Sequence, residues 1–167
     1  MSSLTEQIKA LREKTGAPVI ECRNALMETE CNEEKALELL LKRGLARAEK
    51  KLNRVASQGL VEAYIHPGGR IGALVEVNCE SDFVARTQEF KDLAHDLALQ
   101  IAATSPMFLS PQEIPPSDNA DPKEVCLLAQ PFIKDPQKSV EERVKETIAR
   151  VGENIQVKRF SRFELGV

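Results

Sequence analysis

Residues 59–86 read GLVEAYIHPGGRIGALVEVNCESDFVAR, and this stretch decides the fold. Val61, Ala63 and Ile65 alternate with Glu62, Tyr64 and His66; after the turn Pro67-Gly68-Gly69-Arg70, the residues Ile71, Ala73, Val75 and Val77 alternate on the return. A side-chain period of two is that of an extended strand, and two such runs joined by a glycine-rich turn predict a β-hairpin. Asn78 to Val84 follow, and Thr87 is placed to cap a helix whose inner face carries Phe90, Leu93, Leu97 and Ile101.

On the N-terminal side the period is helical. Ser3-Leu4-Thr5-Glu6 fits a capping box, with Leu4, Ile8 and Leu11 at helical spacing and Gly16 as a left-handed stop, which predicts a helix over 4–15. Pro18 suits the start of a second helix with Val19, Cys22, Ala25 and Leu26 on its apolar face. Asn32 caps a third, with Ala36, Leu37, Leu40 and Leu41 inward and Gly44 at its end. Helices this short are unstable alone in water, so their stripes must pack together as a three-helix bundle. Residues 45–55 read as one more helix, with Arg43, Arg47, Lys50, Lys51 and Arg54 along its polar side.

On the C-terminal side, five prolines between Ser105 and Pro122 keep that stretch irregular and at the surface. Asp121-Pro122 opens a short helix, Ser139 and Glu142 form a second capping box, and Val140, Val144, Ile148 and Val151 trace a buried face that Gly152 closes. A last strand places Ile155, Val157, Phe163 and Leu165 on one parity. The fold class is therefore α+β. A helical bundle with a basic linker helix occupies residues 1–55, and residues 56–167 form a core in which helices cover one face of a three-stranded antiparallel sheet.

Composition narrows the function. In 167 residues, 42% are hydrophobic, enough for a core, but only 4% are aromatic and none is Trp, so each Phe is informative. A net charge of -3 gives no global attraction to nucleic acid or anionic membrane. The first residues lack a charged segment followed by an apolar one, and no apolar run approaches the ~18 residues of a membrane span. These features make a cytoplasmic protein with no membrane contact the expectation. Cys22, Cys31, Cys79 and Cys126 lack C-x-x-C spacing and zinc-ligand histidines, which predicts free buried thiols. Neither His66 nor His95 has a nucleophile at a useful spacing, Gly68-Gly69 opens no phosphate-binding helix, and Glu141-Glu142 sit where a helix N-terminus favours acid. No enzyme, metal or cofactor signature is left. The basic stripe 43–54 offers a second reading, an RNA- or ribosome-binding adaptor, although no aromatic residues interleave with its bases for stacking.

Four stretches, in order, resemble elongation factor Ts: LREKTGAPVIECRNA at 11–25, VEVNCESDFVAR at 75–86, QPFIKD at 130–135 and GENIQVKRFSRFELG at 152–166. The resemblance covers nearly everything outside the Pro-rich loop. It implies a ubiquitin-associated-like bundle at the N-terminus, an α+β core, and a guanine nucleotide exchange role toward elongation factor Tu with GDP, without catalysis or cofactor. It implies partner contacts at Asp82 and Phe83 with the flanking Ser81 and Val84, and at Arg12, Val19 and Ile20. It also implies one at Gln100, where many relatives carry His. Two departures stand out. The chain has only Pro115 to Pro122 where relatives insert a helical excursion, and it has one copy of a core that some relatives duplicate. The single copy makes a homodimer the expected way to restore two-sided engagement. No stable nucleic-acid binding is expected.

Overall fold

The computed structural model describes residues 3–166; residues 1–2 and 167, the outer ends of the two expected units, lie outside the described residues. The elements that carry the argument are α1 (Leu4–Thr15), α2 (Val19–Glu28), α3 (Glu33–Glu49), β1 (Gln58–Ile65), β2 (Ile71–Cys79), α4 (Asp82–Ala85), α5 (Gln88–Thr104), α6 (Pro122–Val125), β3 (Pro131–Phe132), β4 (Asp135–Ser139), α7 (Val140–Val151) and β5 (Ile155–Glu164). The local signals behave as their chemistry requires. Ser3 and Ser139 form complete capping boxes with Glu6 and Glu142, and Asn32 and Thr87 cap α3 and α5. Gly16 and Gly152 end α1 and α7 at φ of 68° and 82°, where a Cβ would be strained.

Two apolar clusters are buried. Leu11, Cys22, Ala25, Leu26, Ala36 and Leu40 close the bundle of α1–α3. The larger cluster lies between the sheet and α5 and α7, centred on Phe90, Leu93, Leu97, Ile101, Val75, Val77 and Ile148, and it also takes in Ala48 of α3. The sheet is antiparallel in the order β1-β2-β5, with Val61 opposite Glu76, Ala63 opposite Leu74 and Gly72 opposite Phe163.

Three expectations need correction. The third helix does not stop at Gly44 with a separate helix after it; α3 runs unbroken to Glu49 and residues 50–53 turn. Gly44 is there for space: a Cβ would stand 3.2 Å from the Ala149 Cβ of α7, so the glycine lets the two helices cross closely. The four apolar residues of β5 do not share a face. Between Glu76 and Val77 the register with β5 shifts, so that Val77 faces Val157 while Glu76 faces Arg159, and Lys158 is the extra residue of a bulge. Each side chain after it moves to the opposite face. Ile155 and Val157 are buried, whereas Phe163 (68% exposed) and Leu165 point to solvent. The β3–β4 hairpin was not foreseen; Pro131 and Pro136 mask it as loop.

Cys22, Cys79 and Cys126 are buried free thiols whose pKa burial pushes up, but Cys31 is exposed, at φ 61° in the α2–α3 turn. No described helix is long and apolar enough to cross a membrane.

If close approach is the reason for Gly44, Gly44→Leu forces α3 off α7 and costs ~1–3 kcal/mol by overpacking. Gly44→Ala, which regains ~1 kcal/mol of helix propensity, stays near neutral. Urea unfolding of both variants checks the difference.

Candidate partner-binding surface

The chain leaves β2 at Cys79 and makes one helical turn, α4, before α5 begins. Ser81 is the pivot. Its backbone N–H donates to Glu153 Oε2 at 2.9 Å, its hydroxyl donates to Glu153 Oε1 at 2.6 Å, and the same oxygen accepts from the Val84 amide at 3.4 Å. Its carbonyl accepts from the Cys79 thiol at 3.1 Å. Val84 is buried in the main core, and Thr87 Oγ1 donates to its carbonyl at 2.8 Å. With Ser81 and Val84 held, the two residues between them must face out. Phe83 is 78% exposed, and Asp82 is paired with Arg86 at 2.7 Å. Phe83 thus stands on a short helix rather than on an open loop, presented by anchors on either side.

The bundle supplies the neighbouring surface. A cleft of about 420 Å³ is lined by Arg12, Glu13 and Gly16 of the bundle side and by Val84, Thr87, Glu89, Arg150 and Val151 of the core side, so Arg12 and the α4 turn share one depression. Val19 and Ile20 begin α2 and are 52% and 66% exposed. Val19 was expected on the inner face with Cys22, Ala25 and Leu26. Those three are fully buried, and Val19 is turned out because the helix begins at its position, at the edge of the stripe. Met27, two helical turns beyond Ile20, is exposed as well, with the exposed polar Arg23 and Asn24 between them.

Gln100 does not join this surface. It is 0% exposed on α5, and its amide is fully engaged: Nε2 donates to Gln130 Oε1 (3.2 Å) and the Pro131 carbonyl (3.1 Å), and Oε1 accepts from the Ile133 amide at 2.8 Å. It holds the QPFIKD segment, on which Ile133 is itself exposed. Ile133 lies inside a family-like motif, but no periodic pattern marks it as exposed. The signal available was a large apolar residue directly before Lys134-Asp135, outside any periodic stripe.

The basic residues after α3 starts are largely spent within the chain. Arg43 pairs with Glu28 (2.7 Å), Arg47 with Glu21 (2.6 Å), Arg54 with Glu80 (3.6 Å), and Lys51 Nζ donates to the Gly152 carbonyl at 2.7 Å. The two histidines flank Tyr64: His95 Nδ1 lies 3.1 Å from Glu62 Oε1, and His66 Nδ1 lies 3.3 Å from the Tyr64 hydroxyl. Among the described residues no group of three or more His, Cys, Asp or Glu could hold a metal ion.

The exposed Phe83 and the exposed start of α2 fall within two of the four quoted motifs, 75–86 and 11–25. The family model described as Elongation factor TS matches residues 9–121 and 119–167. The chain belongs to the elongation factor Ts family. It is 48% identical to Elongation factor Ts of Syntrophomonas wolfei subsp. wolfei, over 96% of this chain and 89% of that one. It is also 48% identical to Elongation factor Ts of Heliobacterium modesticaldum (95% and 88%) and 45% identical to that of Carboxydothermus hydrogenoformans (97% and 88%). The first match runs over 191 aligned positions, more than this chain's 167 residues, so the relative has residues inside the matched region that this elongation factor Ts chain lacks. The two pieces of the family match overlap at 119–121, within the Pro-rich connection that stands where relatives insert a helical excursion. Its role therefore lies in translation elongation.

Replacing Glu153 with Ala removes both acceptors from Ser81 and costs ~1–3 kcal/mol, the usual loss for a charge-assisted pair of hydrogen bonds. Amide exchange at Val84 and Phe83 should speed up more than at Leu97, deep in α5; equal acceleration would mean the anchor is not local.

Proposed function

We propose that this chain binds elongation factor Tu carrying GDP and promotes release of the nucleotide, acting as an exchange factor without catalytic chemistry of its own. The observation that carries the reading is Phe83, a large apolar ring 78% exposed on a turn tied down by Ser81–Glu153 and buried Val84. Entering an apolar seam between partner helices, that ring contributes ~1.5–3 kcal/mol toward a shifted partner arrangement. A Mg²⁺ site on the partner tolerates little distortion, because the ion demands near-octahedral geometry. Linkage sets the scale: a factor that weakens nucleotide binding a thousandfold needs ~4 kcal/mol of differential affinity.

One ring falls short of that, so the bundle must share the load. Arg12, Val19 and Ile20 supply the second contact, while Asp82 with its Arg86 partner borders the first. In this reading the bundle of residues 1–55 and the core of 56–167 act as two arms of one clamp. Gln100 contributes indirectly, by holding the exposed Ile133 in place. The RNA-binding alternative draws little support from the basic stripe, whose charges at positions 43, 47 and 54 already face carboxylates.

We further propose that two copies pair through the open face of the sheet. Val61, Ile65, Leu74 and Phe163 are all exposed there, so none of the described helices covers these positions. A contiguous apolar face on an otherwise charged chain marks an interaction surface, and a face meeting its own copy about a two-fold axis is the commonest closed arrangement.

Addition of the protein to elongation factor Tu loaded with fluorescent GDP should accelerate release. Phe83→Ala should cut that acceleration ~10- to 100-fold with unchanged unfolding, since the ring packs against nothing in its own core. Unaltered release at saturating protein would refute the proposal. For pairing, sedimentation equilibrium should give twice the chain mass for the parent and the single-chain mass for Leu74→Glu.

A further inference from the structure

A second cleft lies between the bundle and the core, sharing Gly16 and Arg150 with the depression beside Arg12. Its volume is about 420 Å³, within the ~300–1,000 Å³ of small-molecule sites. The close crossing of α3 and α7 at Gly44 and Ala149 makes its floor. Its apolar wall is aliphatic, from Leu37, Leu41 and Leu45 of α3 with Ala17 and Pro18. No aromatic side chain lines it, so it offers a nucleobase nothing to stack on.

The rim is cationic in a chain of net charge -3. Lys14, Arg47, Lys51, Lys138 and Arg150 border the cleft against one carboxylate, Glu146. Arg47 and Lys138 are neutralised, by Glu21 at 2.6 Å and by Glu146 at 2.7 Å. The other three are not. Lys51 donates to the Gly152 carbonyl at 2.7 Å and Arg150 to the Lys14 carbonyl at 2.9 Å, both at helix C-termini, and Lys14, Lys51 and Arg150 have no carboxylate within ion-pairing distance among the described residues. Burial, and then the charges of Arg54 and Arg47, hold Lys51 below the usual lysine range. Cations crowded together beside an aliphatic wall lower their mutual repulsion when an anion joins them.

We propose that this cleft binds an aliphatic chain with an anionic head, the chain lying along the α3 leucines and the head between Lys14, Lys51 and Arg150. None of Arg12, Val19, Ile20 or residues 81–84 lines the cleft, although Gly16 and Arg150 border both it and the Arg12 depression, so methyl shifts at the α3 leucines and nucleotide release test the two readings separately.

The probes are decanoate, octanoate, 1-octanol and inorganic phosphate, added to the full chain labelled at leucine and alanine methyl groups. Decanoate should give saturable shifts at Leu37, Leu41, Leu45 and Ala149 with a submillimolar dissociation constant, octanoate the same shifts more weakly, and 1-octanol or phosphate at least tenfold weaker binding than octanoate. Lys14→Gln with Lys51→Gln should weaken decanoate at least tenfold, and Lys14→Gln alone, which leaves the Lys51–Gly152 bond in place, should weaken it at least threefold at the circular dichroism spectrum and melting temperature of the parent. Leu41→Asp, on a partly exposed position, should abolish the shifts. The proposal is overturned by no saturable shift up to about 5 mM decanoate, by 1-octanol binding as tightly as octanoate, by phosphate alone reproducing the effect, or by shifts centred on Leu74 of the open sheet face.

Discussion

The corner Gly152-Glu153-Asn154, at the end of α7, is the constraint on which the rest of the molecule depends. The Gly152 carbonyl accepts the Lys51 ammonium from the turn after α3. Glu153 clamps Ser81 with both carboxylate oxygens. Asn154, fully buried, takes the Glu80 carboxylate on its backbone amide and gives its side-chain amide to the carbonyls of Leu52 and Arg54. Three consecutive residues therefore bind the exit of the bundle, the end of β2 and the start of β5 into one joint. A left-handed glycine is what allows the chain to leave the helix and turn these groups back toward the sheet.

That joint explains how a small protein can show an aromatic ring to solvent without losing control of it. A Phe on a mobile loop would surrender conformational entropy on docking, and the surplus left for binding would shrink. Here the turn is ordered beforehand, by a bidentate carboxylate on one side of Phe83 and a buried Val84 on the other. The bundle is set against the core by the same joint and by the close α3–α7 crossing. Under the proposed exchange reading that rigidity matters, because contacts that relax cannot deliver differential affinity.

The bulge at Lys158 has an equally large effect for one residue. Without it Phe163 would lie on the helix-covered face; with it the open face gains an exposed ring beside Leu74, across from Val61 and Ile65. One extra residue thus converts the end of a core strand into part of an apolar surface.

Much of this was legible in the chain itself. Caps at Ser3, Asn32, Thr87 and Ser139 and the stops at Gly16 and Gly152 act through bonds to residues three or four positions away, so local sequence suffices to place them. The hairpin followed from period, whereas an outward Phe83 followed only from the family resemblance, since a ring after a strand otherwise tends to fold inward. Other features depended on neighbours distant in sequence. Gly44 reads as a helix stop until Ala149 is seen against it, Gln100 reads as a surface polar residue until Gln130, Pro131 and Ile133 enclose its amide, and the basic stripe reads as free charge until Glu21, Glu28 and Glu80 meet it. A bulge leaves no residue-type signature, so the facing of Phe163 was beyond the pattern. Sequence by itself determined which segments were helices and strands and which family motif carried the ring, because those depend on interactions within a few residues. Only the tertiary structure decided which side chains remained available to a partner, because availability depends on what the rest of the fold has already buried or paired.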